Sequence, residues 1–192
     1  MEKDKKLEIT KQKLLNATAK LMFSTDDPMK VTSREIAAAA EVRPSMINYC
    51  FGSREKLIHE VFQSEFRDFL EKNNISSIVS GSLPPREMLK KLHFLMIGYL
   101  LENSQFTRAI TGLVLFGRDL NEESFSYPLV MKHFAGRKTE TECRMIAYEL
   151  SAMMQLTIYR KDDIKEAFGL DLEDEEQLKK YLDMRFELLM PD

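Results

Sequence analysis

Thr32 to Leu57 reads TSREIAAAAEVRPSMINYCFGSREKL, and this stretch decides the fold class. Thr32-Ser33-Arg34-Glu35 places a hydroxyl three residues ahead of a glutamate, the capping-box pattern that opens a helix. The spacing predicts a short helix over 33–40, in which Ala37, Ala38, Ala39 and Ala40 allow close packing against a neighbour. Pro44 suits the first turn of a second short helix over 44–50. That helix carries Asn48 and Tyr49 beside the apolar Met46, Ile47 and Phe51. Gly52-Ser53 then breaks it and caps a third helix from about Arg54. Two helices this short cannot bury enough surface to stand alone, so they must rest on a larger bundle. A compact pair with a polar outer face is a form that the major groove of DNA accepts.

Outward from this stretch the periodicity stays helical. An opening helix is expected over 9–24, burying Leu14, Thr18, Leu21 and Met22, and Asp26-Asp27-Pro28 ends it. Ile58, Val61, Phe62, Phe66, Phe69 and Leu70 make a stripe long enough to carry the third helix into a further layer. SGSLPP at 80–85 is the clearest punctuation after it. Helices over 85–103, 106–116, 126–134, 140–160 and 173–190 complete the chain. No convincing strand alternation occurs, glycine is scarce (7), and Asn-Gly or Asp-Gly turns are absent.

The 192 residues are 44% hydrophobic and 31% charged, the profile of a globular rather than a disordered chain. No run approaches the ~18 apolar residues that cross a bilayer. The charged opening MEKDKKLEITKQK lacks a secretory apolar segment, so a cytoplasmic location is expected. Cys50 and Cys143 show no metal-ligand spacing and are expected to be reduced thiols. The net charge of −3 divides unevenly: residues 1–60 carry 11 Lys/Arg against 9 Asp/Glu, and residues 61–192 carry 17 against 22. Positive charge therefore lies at the end with the short helices, where phosphate contacts would need it. Lys11, Lys30, Arg34, Arg43, Arg54 and Lys56 are the candidates.

From about Ile9 to Phe62 the chain resembles the TetR family of bacterial transcriptional regulators. The resemblance rests on Ile36-Ala37, Val42, Ile47, Tyr49, Phe51 and the run Gly52-Ser53-Arg54-Glu55-Lys56-Leu57. It implies an all-α protein: an N-terminal three-helix helix-turn-helix DNA-binding domain over residues 1–60, then a larger C-terminal helical ligand-binding and dimerisation domain over 61–192. Thr32, Ser33 and Arg34 are then expected near the DNA backbone. Arg43, Pro44, Ser45, Met46 and Asn48 should face the groove, with Tyr49 and Arg54 on phosphates. The residue types suit these roles: Asn pairs bidentately with adenine, Arg with guanine, and Met or Pro packs on a thymine methyl. Two positions depart from the family pattern. Glu41 stands where a glycine usually turns the chain, at a cost of about 1 kcal/mol if the left-handed geometry is kept. Asp26-Asp27-Pro28 replaces the glycine common after the first helix. Both add negative charge near DNA, so weaker or more salt-sensitive binding is expected.

Beyond Phe62 the resemblance supplies architecture only: a regulatory domain that takes a small effector and dimerises through its last two long helices. Met145, Met153, Leu156, Leu178, Tyr181, Leu182, Phe186 and Leu189 are the expected interface, since the final helix has an apolar stripe and the preceding one is apolar almost all round. Phe94, Tyr99, Phe106, Phe116, Phe125, Tyr127, Met131, Tyr148 and Met154 are the expected lining of a pocket for an apolar or aromatic effector. His93, Asn103, Gln105, Arg108 and His133 are polar residues that would orient it. Twelve methionines, with flexible thioethers, suit such a site.

No nucleophile elbow, phosphate loop, paired metal ligands or nucleotide fingerprint is present. The expected function is therefore non-enzymatic and needs no cofactor. It is that of a ligand-responsive repressor binding a palindromic operator on double-stranded DNA as a homodimer, away from membranes. The rival is a helical adaptor that keeps the fold and binds a protein instead of specific DNA.

Overall fold

A computed structural model describes residues 2–25, 28–75, 81–117, 119–120 and 124–192, without the side chains of Glu2, Lys3, Met29, Gln105 and Leu113. Helix is the regular secondary structure of the described residues, with no strand among them. Helix α1 spans Glu2–Phe23, α2 Ser33–Ala39, α3 Ser45–Phe51, α4 Arg54–Lys72 and α5 Pro85–Glu102. Then follow α6 Ser104–Gly117, α7 Tyr127–Phe134, α8 Glu140–Tyr159, α9 Lys161–Phe168 and α10 Glu175–Leu189. A short 3₁₀ turn occupies Pro28–Lys30.

Helix α1 begins at Glu2 rather than Ile9: its first turns are exposed but rich in the straight-chain residues that tolerate helix without packing. Leu14, Thr18 and Met22 are buried as expected. The buried Thr18 hydroxyl donates to the Leu14 carbonyl at 2.7 Å, so its burial leaves no donor unmet. Asp26-Asp27 lies outside the described residues, as do 76–80. Helix α9 lies between the two closing helices expected over 140–160 and 173–190. No residue of it is buried. Ion pairs of Lys161 with Glu173 (2.7 Å) and Lys165 with Asp171 tie it to the following loop, and Gly169 at φ +69° ends it. Ile164, Ala167 and Phe168 do recur at helical spacing, but the stripe is a single turn long and the fold leaves Phe168 80% exposed.

Helix α1 packs on α2, α3 and α4, while α5 packs on α6, α7, α8 and α10. Helix α5 is the hub of the larger half, burying Met88, Leu89, Leu92, His93, Met96, Ile97 and Leu100. The joint between the halves is aromatic: Phe106 on α6 lies 5.1 Å from Phe23 of α1 and 5.8 Å from Phe62 of α4, ring centre to ring centre. The buried apolar residues form one cluster from Leu14 to Met190. Position 60, where the sequence suggested a division, falls inside α4, whose buried Leu57, Ile58, Val61 and Phe62 run across it.

Candidate functional site

The outer end of the molecule is built by α2, α3 and the start of α4. Thr32 caps α2 through the reciprocal pair foreseen from its sequence: its Oγ1 accepts from the Glu35 N–H at 3.2 Å, and its own N–H donates to Glu35 Oε2 at 2.7 Å. The Thr32 N–H, and the Thr32 hydroxyl at 2.8 Å, both donate to Glu35 Oε2, which favours the charged carboxylate and holds the Glu35 pKa below its ordinary value. At the other end of α2, the Val42 N–H reaches the Ala37 carbonyl (2.9 Å) and the Glu41 N–H the Ala38 carbonyl (3.1 Å). That pairing is a Schellman turn. Glu41 takes the left-handed position at φ +56° without being glycine. Its carboxylate is 3.9 Å from Lys13 Nζ, an exposed pair that stabilises little.

Ile36, Ala37, Ala40, Ile47, Phe51 and Leu57 close the inside of this unit. Ile47 and Phe51 are one turn apart, so α3 turns that face inward and presents the rest. Tyr49 is 66% exposed, a large aromatic held away from the core. Arg34, Arg43, Pro44, Ser45 and Asn48 are exposed, Thr32 is exposed beside its cap, and Ser33 and Met46 are half-buried. Gly52 at φ +81° ends α3, and Ser53 caps α4 by accepting from the Lys56 N–H at 3.1 Å. Arg54 is thereby the first residue of α4, partly covered, with Nη1 3.6 Å from Glu55 Oε1.

Helix α4 leads from this surface into the wall of a cavity of about 180 Å³. His59, Phe62, Gln63 and Phe66 line it from α4, Met96 and Leu100 from α5, and Val114 and Leu115 from α6. Phe125 and, from α8, Tyr148, Ser151, Ala152, Met154 and Gln155 complete it. Phe125, Tyr148 and Met154 are thus brought together as the sequence suggested. Six other residues named for a pocket lie elsewhere. Phe106 is buried in the aromatic joint, and Tyr99 stacks on Phe69 at 4.4 Å, where burial pushes its hydroxyl pKa up to about 12. Phe116 is 90% exposed. Phe94 borders a separate charged groove with Lys90, Lys179 and Asp183, Tyr127 lies under the Arg144 guanidinium at 4.7 Å, and Met131 packs on the core. The polar lining was missed. Its signal was two pairs one turn apart, His59 with Gln63 and Ser151 with Gln155, interrupting apolar stripes.

Of the suggested orienting residues, His93, Asn103, Arg108 and His133 do not line the cavity. His93 is buried behind it, its Nε2 3.4 Å from Ser126 Oγ and its ring 5.6 Å from that of Phe125. Desolvation, with Arg185 nearby, drives its pKa down to about 3. Asn103 caps α5, Arg108 pairs with Asp162, and His133 Nε2 meets the Pro191 carbonyl; the Gln105 side chain is outside the described residues.

The residues named for an interface divide. Met145, Met153 and Leu156 are exposed on α8. Leu178, Leu182 and Phe186 turn inward onto α5, because α10 needs its main stripe for its own core. Tyr181 and Leu189 are half-buried, and the Tyr181 hydroxyl bonds Thr157 Oγ1 at 3.0 Å. The outward apolar surface of α10 is Met184 and Leu188. No cluster of metal-ligating side chains occurs among the described residues, and no helix there is long and apolar enough to cross a membrane. Cys50 and Cys143 are free thiols, each raised in pKa mainly by burial. No protein-family profile matches the chain, and no curated protein matches it closely.

Proposed function

We infer that this chain is a DNA-binding transcriptional regulator of the TetR type, a repressor controlled by a small ligand and acting as a homodimer on a palindromic operator. The observation that carries this reading is the outer face of α3. A helix of seven residues buries Ile47 and Phe51, yet holds Tyr49, Asn48 and Ser45 out into solvent between Arg43 and Arg54. A stability role does not call for an exposed tyrosine there. Phosphate and base-edge contact does.

In this reading, residues 1–60 are the reading head and residues 61–192 the effector and dimerisation half. Helix α4 joins them physically: Arg54 starts it at the DNA face, and His59, Phe62, Gln63 and Phe66 reach the cavity from its middle. A ligand that prefers one setting of α4 shifts the population of head positions, and DNA must weaken ligand binding in return. In this reading the dimer forms through Met145, Met153 and Leu156 of α8 with Met184 and Leu188 of α10, which are among the apolar side chains the protomer leaves exposed. Two heads about one DNA turn apart, ~34–36 Å, then read two half-sites. The adaptor reading draws on Glu41, whose exposed carboxylate sits beside the face that would approach phosphates.

The test is a fluorescence titration against DNA flanking the chain's own gene and against random DNA, at two salt concentrations. Selective, salt-dependent binding with two protomers per site supports the regulator. Tyr49→Ala and Arg54→Ala should each weaken it by about tenfold or more while the circular dichroism melt is retained. Equal, weak binding to both DNAs, unchanged by either substitution, favours the adaptor.

A further inference from the structure

The cavity against α4 has a composition that selects among ligands. Fourteen side chains among the described residues line it, and none of these is Asp, Glu, Lys or Arg. The nearby groove beside Phe94, in contrast, is bordered by Glu87, Lys90, Lys91, Lys179 and Asp183. An ionised ligand entering the α4 cavity would lose its hydration, and among these described side chains only the His59 imidazole, by taking up a proton, could offset a negative charge.

The polar groups in the cavity wall are few and placed in register. Ser151 and Gln155 stand one turn apart on α8. The Ser151 hydroxyl is engaged, with Ser124 Oγ at 2.9 Å and the Ala147 carbonyl at 3.1 Å. Gln155 is different. It is 6% exposed, and its Oε1 is buried without a hydrogen-bond partner. A buried amide left in this state is costly, and such groups in folded proteins are nearly always met by protein, water or ligand. The terminal amide turns readily, so it can offer either its carbonyl or its N–H₂.

Size adds a second constraint. An apolar cavity of about 150 Å³ holds a benzene ring, and this one is about 180 Å³. Phe62, Phe66, Met96 and Leu100 form its apolar side as two pairs, each one turn apart on its helix.

We propose that this cavity takes a small uncharged molecule of about one ring carrying one hydroxyl or amide group, and that Gln155 selects it by hydrogen bonding to that group. The proposal rests on the reading of the larger half as an effector domain. It deepens that reading by naming the ligand class and the selecting residue.

The experiment uses the full chain with methionine methyl groups labelled for NMR and three probes of one shape: 4-methylphenol, toluene and 4-methylbenzoate. Met96 and Met154 line the cavity and report entry; Met131 on α7, outside its lining, is the control. 4-Methylphenol should shift the Met96 and Met154 methyls, leave Met131 in place, and bind at least about tenfold more tightly than 4-methylbenzoate. Gln155→Leu should weaken 4-methylphenol about five- to tenfold and leave toluene within about twofold. The three-probe comparison needs no variant, so a poorly folded Gln155→Leu does not decide the matter. Equal or tighter binding of the benzoate, no response at Met96 and Met154, or equal weakening of toluene and 4-methylphenol by Gln155→Leu would each overturn the proposal. Selective DNA binding with a silent cavity overturns this proposal alone. A responsive cavity in a chain indifferent to DNA overturns the regulator reading alone.

Discussion

In residues 32–57 the hydrogen bonds that shape the chain are short in sequence. Thr32 pairs with Glu35, Val42 with Ala37, Gly52 with Asn48 and Lys56 with Ser53. In the larger half the bonds that order the helices join distant positions: Arg86 with Glu187 across 101 residues, Lys90 with Asp183 across 93, and His133 with Pro191 across 58. Both regions are helical and locally capped, Thr139 pairing with Glu142 as Thr32 does with Glu35, but the second adds these long-range bonds, which set which helix meets which. A surface meant to present particular side chains gains from local rigidity. A cavity, in contrast, exists only where distant helices fail to fill the space between them.

The sharpest way to break this contrast is to remove a long-range contact. Phe186 is fully buried on α10 and meets the His93 ring edge-on at 5.4 Å. Phe186→Ala should lower stability by about 3–5 kcal/mol, read as a shift of the urea midpoint by circular dichroism. Because the buried cluster is continuous from head to larger half, one transition is expected. Two separate transitions in this variant would show that the head stands without the larger half.

A smaller effect comes from the buried His93. Its pKa is about 3 in the folded chain against an ordinary 6.5. Below pH 6.5 the unfolded chain takes up a proton that the folded chain refuses, so stability falls as pH drops from 6.5 toward 3. Above 6.5 the histidine has no effect. The slope should be about 1.4 kcal/mol per pH unit. His93→Gln should flatten it between pH 6.5 and 4.5 in thermal melts; an unchanged slope would place the sensitivity elsewhere.

The smallest effect probes the head. Glu41→Gly relieves a left-handed residue and should stabilise by about 1 kcal/mol or less, since glycine also loosens the unfolded chain. The same change removes a negative charge beside the α3 face, so in the proposed regulator reading DNA binding should tighten most at low salt. A salt titration in which affinity is unmoved would detach Glu41 from that surface.

How much of this was legible beforehand follows the same division. The capping box at Thr32, the ends of α2 and α3, the break at Gly52 and the buried positions of α4 are written in spacings of three and four residues. The α4 stripe even predicted a helix passing beyond the head. The cavity was harder. Phe94, Tyr99, Phe106 and Phe116 are as aromatic as Phe125 and Tyr148, and only packing separates them. Phe106 fills the joint with Phe23 and Phe62, whereas Phe116 is left almost bare. The same holds for α10, where Leu178, Leu182 and Phe186 form a stripe that suits a partner or a core equally well.

The amino-acid sequence by itself determined the all-helical class, the short helix pair with its turn, and the residues that face outward from it. Those features depend on backbone hydrogen bonding and periodicity within a few turns. Tertiary structure alone decided which apolar stripe serves the core and which is left uncovered. It also decided where the cavity opens and that Gln155 stands in its wall with an unmet carbonyl. Those outcomes depend on contacts between residues far apart in the chain, and a one-dimensional pattern carries no distance between them.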